Sequence, residues 1–175
     1  NAGDIISQGG TETDLMANAM ADARGALMAK HKAAFVGTPL GITASVHSGP
    51  RAALPHGAVM ERVPQGGETL IAGIGASLGG YHAESGVTLI VGDISPEQRR
   101  IMTAMEACND AAVDACAKRQ TCTAANDTAL GALRNAGLGD AIRHRIGHGM
   151  GLEGHEAPWL APGDPTQIQA NMIFS

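Results

Sequence analysis

The sequence predicts an α+β fold. Residues 11–31, 95–118 and 123–136 carry apolar positions at helical spacing. Between the first two of these lie short β-branched runs punctuated by glycine and proline. No strand–helix–strand rhythm repeats, which disfavours a doubly wound parallel sheet. The chain has 175 residues, 44% of them hydrophobic, enough for one globular domain with a true core. Phe35, Tyr81, Trp159 and Phe174 are its only aromatics, so that core must be aliphatic and methionine-based.

Leu15, Met16, Ala19, Met20, Ala23, Ala26 and Leu27 form the stripe of the first helix. Thr11 or Thr13 can cap it, and Asp14 suits its N-terminal end. Phe35–Leu40 and Ile42–Val46 read as strand and turn. Ser48-Gly49-Pro50 and Leu54-Pro55-His56-Gly57 are loop chemistry. Thr69–Ile74 and Tyr81–Val91 are strands separated at Gly79-Gly80. Ser95-Pro96-Glu97-Gln98 starts a helix with a capping residue, a first-turn proline and a reciprocal glutamine. That helix is expected to run to about Lys118 and to bury Ile101, Met105, Cys108 and Ala112. A further helix over Thr123–Ala136 stops at Gly137. Ile142–Gly147 and Met172–Phe174 read as strands.

Net charge is −5 with no basic stripe, which argues against nucleic acid as the main partner. No apolar run approaches the ~20 residues that span a membrane. Cys108 and Cys116 lie eight residues apart on one helix, ~12 Å along its axis, too far to bridge. Three cysteines without a framework fit a reducing compartment, and the expected location is cytoplasmic.

Function concentrates in residues 143–158. There His144, His148 and His155 stand among Gly147, Gly149, Gly151 and Gly154. Histidine supplies a base near neutral pH or a metal ligand. Glycine lets the backbone bend and lie close to a ligand. His148 and His155 would be ~23 Å apart in a strand and ~10 Å apart in a helix. Only a bent path brings both rings to one small substrate. His31 and His47 read as surface histidines, His82 as a surface residue, His144 as a neighbour of the site, and the cysteines as small apolar groups.

With these pieces in order, the chain resembles the M24 family of aminopeptidase P, prolidase, methionine aminopeptidase and creatinase. Ser48-Gly49-Pro50 through His56-Gly57, Gly80-Tyr81 through Thr88, and Gly92 through Gln98 are each similar to family segments. Gly147-His148-Gly149-Met150-Gly151 with His155-Glu156-Ala157-Pro158 is the most specific match, and Met172–Ser175 resembles a strand that follows. The resemblance implies a pita-bread catalytic domain over 1–175, truncated at both ends, without its N-terminal domain and last strands. It implies a hydrolase of a C–N bond in a small peptide or amide, of Xaa-Pro peptidase type, acting as a homodimer. Two divalent metals (Mn, Zn or Co) on Asp, Asp, His, Glu and Glu would activate water. His148 and Glu84 fall at two of these ligand positions, and His56 and His155 at positions that bind substrate and move protons.

The chain also departs from the pattern. Gly73, which has no ligand atom, stands at the first Asp position, Glu84 replaces the second Asp, and Val87 replaces an arginine. Glu84 extends its carboxylate by one methylene, roughly 1.5 Å, against the ~0.2 Å tolerance of metal bonds. Two alternatives arise from this. One is a metal-free, creatinase-like amidinohydrolase using His56 as base, although Gly86 stands where creatine would need a glutamate. The other is a catalytically silent domain that binds a peptide or partner.

Overall fold

The computed structural model describes residues 2–31 and 38–175. They fall in two compact units, Asn1–Ile94 and Ser95–Ser175.

In the first unit, α1 (Ala2–Ser7) and α2 (Glu12–His31) precede an antiparallel sheet of β1 (Leu40–Ser48), β2 (Thr69–Leu78) and β3 (Tyr81–Ile90), ordered β1-β2-β3. Thr11 caps α2: its Oγ1 accepts from Asp14 N at 3.2 Å, while Asp14 Oδ2 accepts from Thr11 N at 2.8 Å. These bonds hold the Asp14 carboxyl below its usual range. Leu15 packs with Val46 and Leu70, joined by Ile5, Ile6 and Met16. Strand alternation puts Val46 and Leu70 on one face, so the opposite face carries the odd-numbered residues of β1 and β2. The β2–β3 turn falls at Gly79 and Gly80, whose φ values of +60° and +89° suit the two-residue hairpin of the twisted sheet. Of the expected Phe35–Leu40 run, residues 35–37 lie outside the described residues, and β1 begins at its last residue.

The 49–68 connection is tied down by a buried carboxylate. Glu12 is fully buried. Its Oε1 accepts from Ser48 N at 2.8 Å, from Ser48 Oγ at 2.6 Å and from Arg51 Nη2. Its Oε2 accepts from Met60 N at 3.1 Å. Arg62 bonds Ser48 Oγ at 2.7 Å and grips Glu68 with both Nη groups at 2.7 and 2.5 Å. The loop between β1 and β2 is therefore fixed at several points by charge-assisted bonds.

The second unit begins with α3 (Pro96–Ala117), whose Ser95–Gln98 capping box forms as the sequence predicts. α4 (Cys122–Asn135), capped by Thr121, ends before Gly137 at φ +72°. The helices pair through Ala104, Cys108, Ala129, Leu130 and Leu133. Ile101 and Met105, expected inside, are 38% and 51% exposed. The seam is built from small residues: Ala104 and Cys108 let α4 approach closely, and that turns the bulkier side chains outward. Cys108 and Cys122 are buried, as the composition implied, and burial raises the thiol pKa values.

β4 is only Gly147–Gly149, so the strand expected over Ile142–Gly147 is corrected. Its first residues bend because their polar groups are satisfied elsewhere: Ile146 N donates to Asn126 Oδ1 at 3.3 Å. β4 pairs antiparallel with β5 (Glu156–Leu160). The Met172–Phe174 run forms no full strand. It docks on β4 through one bridge, Gly149 to Phe174, and through His148 N to Ser175 O at 2.8 Å and Ser175 N to His148 O at 3.0 Å. A Cβ on Gly147 would meet Ser175 O at 2.2 Å, and one on Gly149 would meet Glu156 O at 2.8 Å. The glycines flanking His148 are required because backbone passes on both sides.

Candidate functional site

The second unit assembles the histidine turn. β4 and β5 place His148 opposite Trp159 in register. The bulge after His148 and the glycine-rich 149–154 segment return the chain so that His155 stacks on His148, ring centroids 3.9 Å apart and planes inclined by 30°. The bent path inferred from the spacing is thus the one taken. His148 is buried and His155 exposed. His148 Nδ1 lies 3.1 Å from Gly149 O. A carbonyl oxygen has no proton to give, so Nδ1 carries it, and the neutral ring keeps its lone pair on Nε2. That is the tautomer of a base or a ligand. Glu156 faces back into the turn, accepting from Glu153 N at 2.9 Å.

Trp159 extends the cluster. Its ring lies 6.5 Å from that of His148, and the Arg145 guanidinium sits 4.6 Å from its centroid. His144 is exposed, with Nδ1 against Arg145 O at 2.6 Å.

In the first unit, His56 is exposed on the turn that opens at Leu54. Beneath that turn lies His47, read from sequence as a surface residue but only 1% exposed. Alternation along β1 puts His47 on the face opposite Val46, and loop 49–62 folds over it. That non-local covering left no sign in the local sequence. Gly57 presses directly on the ring, since a Cβ there would meet His47 Cγ at 2.6 Å. Among the described residues, neither ring nitrogen of His47 has a hydrogen-bond partner.

Glu84 is exposed in β3, paired with Gly75, and shares its face with His82, the partner of Ser77. Gly73 pairs with Gly86. The first Asp position of the resemblance and the position where creatine would need a glutamate are therefore cross-strand neighbours, and both are glycine. A Cβ at Gly73 would meet only Ser45 Oγ, at 3.2 Å. Among the described residues no group of three or more His, Cys, Asp or Glu stands together to hold an ion. The donors among the described residues do not fit a two-metal centre.

The model of metallopeptidase family M24 matches residues 2–175, and the chain belongs to that family. The Xaa-Pro dipeptidase of Pyrococcus furiosus is 30% identical over 130 residues, covering 74% of this chain and 37% of that relative. The Xaa-Pro dipeptidase of Lactobacillus delbrueckii is 31% identical, covering 74% and 35%. The chain thus spans about a third of the length of these curated relatives. Among solved structures, dipeptidase PepE from Mycobacterium ulcerans superposes with a TM-score of 0.77 at 32% identity, covering 94% of this chain and 42% of that one. Prolidase from Pyrococcus furiosus gives 0.77 at 26% identity, covering 95% and 47%. The N-terminal domain of the FACT subunit SPT16 from chickpea gives 0.79 at 16% identity, a likeness of fold alone. The fold is the α+β pita-bread type. No helix among the described residues is long and apolar enough to cross a membrane.

Proposed function

We propose that the protein is a hydrolase of peptide-type C–N bonds, Xaa-Pro dipeptidase-like in substrate, with an atypical metal site. The observation that carries the reading is the stacked His148–His155 pair, 3.9 Å apart in a turn built by glycines. One ring buried and one exposed, in contact with each other, suit a pair that accepts a proton and returns it. Exposed His155 is assigned proton transfer and contact with the substrate oxygen. Buried His148 presents Nε2 as base or ligand. His56 is assigned a proton-transfer or substrate role of the same kind, and Glu84 a substrate or metal contact. A cytoplasmic homodimer, in which this chain is part of a larger catalytic domain, belongs to the same reading.

The candidate metal donors of this chain are Glu84 in the first unit and His148 in the second, each on its own short of the three protein ligands of an ordinary catalytic zinc. Elemental analysis after growth with added Mn, Zn and Co is expected to give about one ion per chain or none, by the same ligand count. Two stoichiometric ions, with hydrolysis of dipeptides abolished by chelation, would overturn the atypical site.

A further inference from the structure

We infer that Arg145 is a carboxylate anchor that holds the free α-carboxylate of a small peptide or amino acid beside the histidine pair. The inference deepens the proposed function and rests on a small peptide being the substrate. Arg145 is exposed, yet it is held on two sides: its guanidinium lies 4.6 Å from the Trp159 centroid, and its Nε donates to Gly147 O at 3.1 Å. One contact fixes the plane of the group and the other its rotation. Arg51, Arg62, Arg100 and Lys118 form ion pairs, whereas Arg145 forms none with a described residue. The Arg145 Nη groups make no bond to a described residue, so the outer edge of the guanidinium keeps its paired donors.

Two acidic groups that flank Trp159 in the chain, Glu156 and Asp164, are committed elsewhere. Asp164 accepts from Trp159 N at 2.7 Å and Thr166 N at 2.9 Å, and Glu156 from Glu153 N at 2.9 Å. Neither neutralises Arg145. Such a guanidinium matches a carboxylate with two parallel hydrogen bonds. Because it is already ordered, little side-chain freedom is lost on binding. Trp159 then links anchor to chemistry, since it pairs with His148 in register, and His148 stacks on His155. Arg145, Trp159, His148 and His155 thus form a row, with a charge for the carboxylate at one end and the proton-handling pair at the other.

Trp159 is the only tryptophan, so its emission reports on this row alone. Titration of the chain with L-proline is expected to give a saturable change, at least tenfold weaker with L-prolinamide. Arg145→Gln should weaken proline at least tenfold and leave prolinamide unchanged. Arg145→Lys, which keeps the charge and loses the fork, should fall between. Equal affinity for proline and prolinamide, undiminished proline binding in Arg145→Gln, or no saturable change would each overturn the anchor. Arg145-dependent proline binding without dipeptide hydrolysis would retain the anchor and refute the hydrolase. Xaa-Pro hydrolysis with an unchanged KM in Arg145→Gln would do the reverse.

Discussion

Replacing Glu12 by alanine is expected to destabilise the folded chain by about 3–5 kcal/mol, the usual effect of removing one partner of a buried ion pair. Glu12 is fully buried and accepts four bonds, from Ser48 N and Oγ, Arg51 and Met60 N. Without it, the Arg51 charge and two backbone donors lose their acceptor in a partly or fully buried setting. The midpoint of thermal unfolding should drop by roughly 6 °C or more for a chain of this size. A pH dependence accompanies the loss. Burial pushes the Glu12 carboxyl up, but the bonds from Arg51, Ser48 and Met60 outweigh it and hold the group below its ordinary range. A carboxyl lowered by folding contributes fully above its unfolded value and loses that contribution as pH falls through the folded one. The gap between parent and Glu12→Gln should therefore be widest near neutrality and close in acid, as read by denaturant unfolding at each pH. A gap that stays constant from neutrality into acid, or Glu12→Ala within 1 kcal/mol of the parent by order of magnitude, would contradict this role.

His148→Gln is expected to lower kcat for an Xaa-Pro dipeptide by about 10²–10⁴, the range of a lost acid–base group. Its ring is buried, stacked on His155 at 3.9 Å and held in one tautomer by Gly149 O. Glutamine fills much of the same space, so unfolding should shift little while turnover collapses. His155→Gln, at the exposed ring, should reduce turnover with even less effect on unfolding. Turnover within threefold of the parent in both variants, by order of magnitude of the expected loss, would remove the pair from the chemistry.

The legible parts of the sequence were those governed by local rules. Ser95 and Gln98 form their capping box, Thr11 caps α2 through Asp14, and Gly79-Gly80 closes the β2–β3 hairpin. The glycine spacing around His148 and His155 foretold a bent path, and the two rings meet. What stayed hidden depends on contacts distant in sequence. Cys108 is buried as expected, but Ile101 and Met105, which outsize Ala104, are not, because close approach of α4 selects the small residues for the seam. His47 is buried by a loop that Glu12, far earlier in the chain, ties down. Arg145 gains its fixed position from Trp159, which lies 14 residues later and reaches it only because β5 returns against β4.

The hydrolase reading is tested most directly by turnover of a substrate panel: an Xaa-Pro dipeptide, the matching Xaa-Ala dipeptide and creatine, each followed by release of its product. The prediction is hydrolysis of the Xaa-Pro dipeptide in preference to Xaa-Ala, and none of creatine, because Gly86 offers no carboxylate to a guanidinium group. Absence of turnover on both dipeptides, or cleavage of creatine instead, would contradict it.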